Sequence, residues 1–327
     1  MVSTTTPAVS KSAATMGDYL RIARLDHATK HVFVLPGIAL AWLLRGIHSS
    51  NLALSIFLGF VCVVCIASAN YVINEWLDRE FDKHHPTKSA RASVRTDLRA
   101  RNVYLLWLFF IVVGLGCAAI ASTTLLIVAC VFAAQGIFYN VEPLRTKDKA
   151  FLDVISEAIN NPLRLAIGWA MIDPTTLPPV SLIAGYWLGG AFLMAMKRFS
   201  EYRQIVASHG LDLLVRYRRS FAGYTEKSLL ASCFVYAMLT VFALAVFLIK
   251  YRIEYILTFP FLIAMFAQYL KISMYTNSAA QSPEKLFGER RLLAMAAGLV
   301  MTFVIFTFVD LPDLEMLASQ RFIMVPW

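Results

Sequence analysis

Asn70-Tyr71-Val72-Ile73-Asn74-Glu75-Trp76-Leu77-Asp78-Arg79-Glu80-Phe81-Asp82-Lys83-His84-His85-Pro86-Thr87-Lys88 carries an apolar segment into acid and then into base. Asn74, Asp78 and Asp82 stand four apart, so on a helix they share one face with modest drift. Carboxylates at i and i+4 repel by roughly 0.2–0.5 kcal/mol unless a cation stands between them. Oxygen-only ligands of this kind suit magnesium, which takes one or two carboxylates and completes its shell with water and substrate phosphates. Lys83, Lys88, Arg91 and Arg95 follow at once and can grip the same anion. The stretch predicts a magnesium–diphosphate site at the mouth of a membrane protein; a solvated, charged helix end is the plainer alternative.

With 58% hydrophobic residues over 327, the chain is not an ordinary soluble domain. Apolar runs long enough to span a bilayer predict an all-α polytopic membrane protein with about nine spans. They cover roughly 29–47, 52–76, 103–121, 123–140, 151–172, 179–197, 228–249, 254–274 and 291–309. Alternate loops hold 25 of the 30 Lys and Arg. The positive-inside rule makes that side cytoplasmic, with the N-terminus inside and a polar cavity open to the cytoplasm. The net charge of +9 is thereby topology and anion binding, with no case for nucleic acid. All five cysteines fall in apolar spans, where Cys62-x-x-Cys65 reads as packing. Residues 1–15 read as a flexible tail and 16–327 as a single helical membrane domain.

The fifth expected span is the other informative stretch. Asp153, Glu157 and Asn161 are again four apart, with Asn160 and Arg164 alongside, in a run otherwise apolar enough to enter lipid. Ionisable residues there are expensive and usually face a cavity, so a second wall of the same polar site is expected. A purely structural Glu157–Arg164 pair is the alternative. Lys30, ahead of the first span, is a phosphate contact or a snorkelling residue. At the end of the sixth span, Lys197, Arg198 and Glu201 allow one base to pair with Glu201 while another faces the cavity. Gly185 and Gly189 form a GxxxG suited to close helix packing.

Asn74-x3-Asp78-x3-Asp82 at the end of the second span, with the acidic segment of the fifth, resembles the UbiA superfamily of intramembrane prenyltransferases over nearly the whole chain from about Tyr19. Glu75 stands where many members have Asp. Asp82-x2-His85-Pro86-Thr87-Lys88, Lys197-Arg198-x2-Glu201, and Arg218-Arg219-Ser220 leading into Tyr224-Thr225 are similar to the decaprenyl-phosphate phosphoribosyltransferase branch. The Arg-Pro that commonly follows the His-Pro is replaced by Ser89-Ala90-Arg91-Ala92, and the loop Pro143-Leu144-Arg145-x-Lys147-Asp148 is closer to aromatic-prenylating members.

That resemblance implies magnesium-dependent transfer of a 5-phosphoribosyl group from phosphoribosyl diphosphate to a polyprenyl, decaprenyl-type phosphate of the cell envelope, releasing diphosphate. It implies an enzyme of the bacterial inner membrane whose site faces the cytoplasm. Asp78 and Asp82 would hold Mg2+ with Asn74 orienting, and Lys83, Lys88 and Arg91 would contact the diphosphate. Asp153 and Glu157 would stabilise cationic character at the sugar carbon or hold a second metal. Lys30, Arg164, Lys197 and Arg198 would cradle the acceptor or 5-phosphate, and Tyr139, Arg145, Lys147, Asn161 and Tyr224 complete the candidate binding set. One alternative keeps the metal site but uses an isoprenyl diphosphate donor with an aromatic or other small acceptor. A membrane carrier is the other, though carriers bind near the bilayer midplane and these clusters lie towards span ends. A homo-oligomer is open on sequence.

Overall fold

The computed structural model describes residues 12–25, 28–275, 286 and 288–318, and among them the chain is almost entirely helical. The helices are α1 Met16–Ala23, α2 Leu35–Arg45, α3 Leu52–Asp82, α4 Ala92–Arg95, α5 Ala100–Ala121, α6 Thr123–Asn140, α7 Leu152–Ala158, α8 Asn160–Ile172, α9 Val180–His209, α10 Leu211–Tyr217, α11 Glu226–Tyr251, α12 Phe259–Ser273, α13 Arg290–Phe308 and α14 Pro312–Ala318. Among the described residues, seven segments are long and apolar enough to cross a membrane: α3, α5, α6, α9, α11, α12 with its lead-in from Ile253, and α13. The other two expected spans differ. The first is the 11-residue α2 behind a 3-10 turn over Ala28–Val34, and the fifth is split into α7 and α8.

Pro162 explains the split. It lacks the N–H that would bond the Ala158 carbonyl, and its ring crowds that carbonyl. The helix stops at Ala158 and resumes at Asn160, with the Asn160 amide donating back to the Glu157 carbonyl at 2.9 Å. Polar backbone at membrane depth is tolerated where protein or a cavity meets it.

The chain forms two compact units, one of residues 1–178 and 205–224, the other of 179–204 and 225–327. In the first, Asn51 caps α3 by accepting from the Leu54 N–H at 3.1 Å. Ser122 both ends α5 and caps α6, accepting from the Leu125 N–H at 3.1 Å, which gives the expected tight hairpin. α2 and α8 meet through glycines: a Cβ on Gly37 would stand 2.0 Å from the Leu165 carbonyl oxygen, and one on Gly168 2.2 Å from that of Val34. Val63, Ile66, Leu125, Phe132, Ile167 and Met171 pack the core between these helices. Ser12–Ala13, read as tail in the sequence, pair in parallel with Thr96–Asp97.

In the second unit, Gly185 faces the Leu244 side chain and Gly298 the Phe261 ring. Phe192 packs on Phe266 at 4.7 Å, and Tyr255 stacks on Phe303 at 4.4 Å.

Candidate active site

The last turns of α3 present Asn74 and Asp78 towards the end of α6 and the loop after it. Asn74 Nδ2 donates to Asn140 Oδ1 at 2.6 Å, and Lys147 Nζ donates to the same oxygen at 2.8 Å. Lys147 Nζ also lies 2.6 Å from Asp78 Oδ1, which accepts from Arg145 Nη2 at 2.9 Å. Arg145 is fixed in turn: its Nε donates to Asp148 at 2.9 Å, its Nη1 to the Asn140 carbonyl at 2.9 Å, and it lies 5.2 Å from the Phe81 ring centroid. Its φ of 26° is a strained value for a side-chain-bearing residue, and φ at Phe151, where the same loop ends, is 65°. Burial pulls the Lys147 ammonium down to about 8, with Asp78 opposing the shift.

One turn on, Asp82 is buried and its Oδ2 accepts from Arg91 Nη1 at 2.5 Å. Arg91 also lies 3.8 Å from Glu75, which Arg24 holds at 2.5 Å. Asp78 and Asp82 are thus engaged by separate bases, Asp78 by Lys147 and Arg145 and Asp82 by Arg91. Lys83, expected on the substrate, sits outside on Glu80 at 2.5 Å, both side chains well exposed. Arg91 binds carboxylates where a phosphate contact was expected. Lys88 is half-buried, 6.0 Å from the Tyr217 ring centroid, and His85 packs on the same ring at 4.4 Å.

The two carboxylates of the fifth expected span have different surroundings. Asp153 is wholly buried and accepts from Arg218 Nη2 at 3.1 Å, Ser220 Oγ at 3.1 Å and Tyr224 Oη at 2.6 Å. Tyr224 Oη also accepts from the Phe151 N–H at 2.6 Å. Asp153 and Tyr224, expected at the chemistry, thus tie residues 218–224 to the start of α7, and no oxygen of Asp153 faces solvent. Glu157 is one-third exposed and accepts from Tyr139 Oη at 2.9 Å. That hydroxyl also accepts from Arg218 Nη2 at 3.1 Å, so Arg218 reaches Asp153, Tyr139 and Glu157 together. Arg164 is buried 5.2 Å from the Phe132 ring centroid and donates to the Asn160 carbonyl at 3.3 Å. Asn161 is half-buried with no side-chain hydrogen bond among the described residues.

Lys197 and Arg198 belong to the other unit, where Arg198 lies 3.6 Å from Glu201 as the spacing allowed. The Lys30 side chain lies outside the described residues. Asn140 and Asp148, which hold Lys147 and Arg145, were not among the residues expected there, and Glu75 and Arg218 were noted only as motif positions. Only the charge-rich loops hinted at them, since nothing in one helix's periodicity names partners from another.

Among the described residues no three His, Cys, Asp or Glu converge on one point, so the donors do not make an all-protein metal cage. Asp78 and the Asn74 carboxamide, on one face of α3 a turn before Asp82, supply oxygen donors of the kind a magnesium ion takes when substrate phosphates and water finish its shell.

Amide, carboxylate and cation thus gather at the end of α3, one of the membrane-length helices. The model of the UbiA prenyltransferase family matches residues 32–295, and the chain belongs to that family, a family of transferases. A protoheme IX farnesyltransferase of Geobacillus kaustophilus is 30% identical over 182 residues, 53% of this chain and 56% of the relative. The uncharacterized protein y4nM of Sinorhizobium fredii is 29% identical over 151 residues, 46% of this chain and 28% of the relative. The matches thus span 28% and 56% of these relatives' lengths. Among solved structures, a UbiA homolog from Archaeoglobus fulgidus bound to DMAPP and Mg2+ shares the fold, with TM-score 0.66 and 20% identity over 89% of this chain and 100% of that one. The same homolog bound to GPP and Mg2+ gives 0.65 and 21%, over 89% and 99%.

Proposed function

We propose that this chain transfers an isoprenyl group from its diphosphate to a ring-bearing acceptor in the membrane, with magnesium on the donor. The observation that carries it is the contact of Asp78 with both Lys147 and Arg145, beside the Asn74–Asn140 pair. Two bases held against one carboxylate can turn to an incoming diphosphate without moving far. Asp78 and Asp82 are the residues that would hold Mg2+, which when bound neutralises charge on the departing diphosphate. Lys147 and Arg145 add charge-assisted hydrogen bonds to the same leaving group. The carbon–oxygen bond to the isoprenyl C1 breaks, the diphosphate keeps the electron pair, and the acceptor nucleophile takes the carbon and loses a proton. Glu157, oriented by Tyr139, is the carboxylate positioned to offset positive charge at the allylic carbon.

This choice differs from the phosphoribosyl transfer expected from sequence. Arg218, Ser220 and Tyr224, which supported that branch, are engaged with Asp153. Relatives named for protoheme farnesyl transfer, and a neighbour bound to DMAPP or GPP with Mg2+, support the isoprenyl donor instead. Membership of a transferase family sets the carrier aside. The distribution of bases supports a site facing the cytoplasm of a bacterial inner membrane.

Purified protein in lipid nanodiscs, given labelled isoprenyl diphosphates, protohaem and Mg2+, is expected to yield a prenylated acceptor by mass spectrometry. Labelled pentose phosphate on polyprenyl phosphate, with no prenylated product, would return the function to the phosphoribosyl donor.

A further inference from the structure

In the second unit, where α12 ends and α13 begins, Lys271, Arg290 and Arg291 line one cavity of about 370 Å³ with Gln268, Tyr275 and Glu289. None of the three bases makes an ion pair or side-chain hydrogen bond among the described residues. Two arginines of the same unit do have carboxylate partners, Arg203 with Glu226 at 3.1 Å and Arg252 with Glu254 at 3.4 Å, whereas these three bases gather in one place without any among the described residues. With Glu289 as the only carboxylate in that lining, three cations share a space with an uncompensated excess of positive charge, which favours an anion there.

The flank of the cavity says what kind of anion. α13 buries no residue, and its side chains Leu293, Val300 and Val304 are 42%, 62% and 44% exposed. An apolar face of that length, running away from a basic cavity, matches a molecule with an anionic head and hydrocarbon tails. Phe261 against Gly298 holds α12 and α13 together about two turns further along, and the cavity is lined by the facing ends of the two helices with Tyr275, Gly288 and Glu289. The count of basic loops assigns this end to the cytoplasmic leaflet, where anionic lipids lie.

We propose that this cavity seats the phosphate headgroup of an anionic phospholipid whose acyl chains lie along α13. The site is separate from the residues assigned to prenyl transfer, and its test does not depend on turnover.

Native mass spectrometry of the full chain from nanodiscs of phosphatidylcholine mixed with phosphatidylglycerol would read lipid retention directly. Wild type is expected to keep phosphatidylglycerol selectively, and so is the charge-conserving Lys271→Arg/Arg290→Lys/Arg291→Lys variant. Lys271→Gln/Arg290→Gln/Arg291→Gln is expected to lose about fivefold in affinity per base, roughly a hundredfold in all. Equal retention by the neutralised variant, or no preference over phosphatidylcholine in wild type, overturns the proposal. Competition by millimolar inorganic phosphate as effective as by phosphatidylglycerol overturns the lipid as the source. Should the neutralised variant fail to fold, photoactivatable phosphatidylglycerol on wild type decides. Cross-links concentrated at residues 286–300 support the site, and a pattern identical to that of photoactivatable phosphatidylcholine removes it.

Discussion

Asp78 and Asp82 look equivalent in sequence, and the structure separates them. Asp78 is one-fifth exposed between Lys147 and Arg145, whereas Asp82 is buried against Arg91. Asp78→Asn is therefore expected to keep the fold, since both bases retain the Asn140 contacts, and to lower kcat by roughly 10²–10³. Asp82→Asn strips Arg91 of its nearest carboxylate while leaving Glu75 at 3.8 Å, so a thermal melt is expected to show a loss of about 1–3 kcal/mol besides lost activity. Equal melting of the two variants would contradict this division. Lys147→Met is expected to raise KM for the donor more than it changes the melting temperature, as read by steady-state kinetics at varied donor. The pattern Asn74-x3-Asp78 was legible because helical spacing puts both on one face. Their partners were not: Arg145 lies 67 residues from Asp78, and spacing within a helix is silent about which loop folds over its end.

At the scale of elements, most helices follow their apolar runs, and the exception follows from one residue. The run over 151–172 hides its break because hydropathy counts Pro162 as apolar while the backbone feels a missing donor. Pro162→Ala is expected to join α7 to α8 without loss of stability and to turn Glu157 away from Tyr139, lowering kcat. Unchanged kcat with a continuous helix by hydrogen exchange would contradict the role given to the break. Gly37 was likewise unreadable, since its value lies in a carbonyl of α8 that it touches. Gly37→Ala is expected to destabilise by about 1–3 kcal/mol through overpacking, measured by thermal denaturation in detergent. At the far end of α8, burial pushes the Asp173 carboxyl up. The Thr175 and Thr176 hydroxyls, the Thr175 N–H and Arg45 outweigh that and hold it below its ordinary 3.8. Its folded value being the lower one, its contribution is full above 3.8 and is lost as pH falls through the folded value. Asp173→Asn should remove that acid-limb dependence of the melting temperature.

For the molecule as a whole, the fold class and the family were legible because nine apolar runs and one acid motif suffice for them. Donor identity was not, because a diphosphate is gripped by the same carboxylates and bases whatever carbon it leaves. Among the residues that pointed to a phosphoribosyl donor, Arg218, Ser220 and Tyr224 all bond Asp153, and Arg218 also reaches Tyr139 and Glu157. The most direct measurement is turnover of labelled isoprenyl diphosphate by purified wild type and Asp78→Asn, each with Mg2+ and with chelator. Prenylated product from wild type with Mg2+ alone, falling by roughly 10²–10³ in Asp78→Asn, is the expected result. Product formed equally well by Asp78→Asn, or in chelator, would contradict the assignment of this helix end as the diphosphate site.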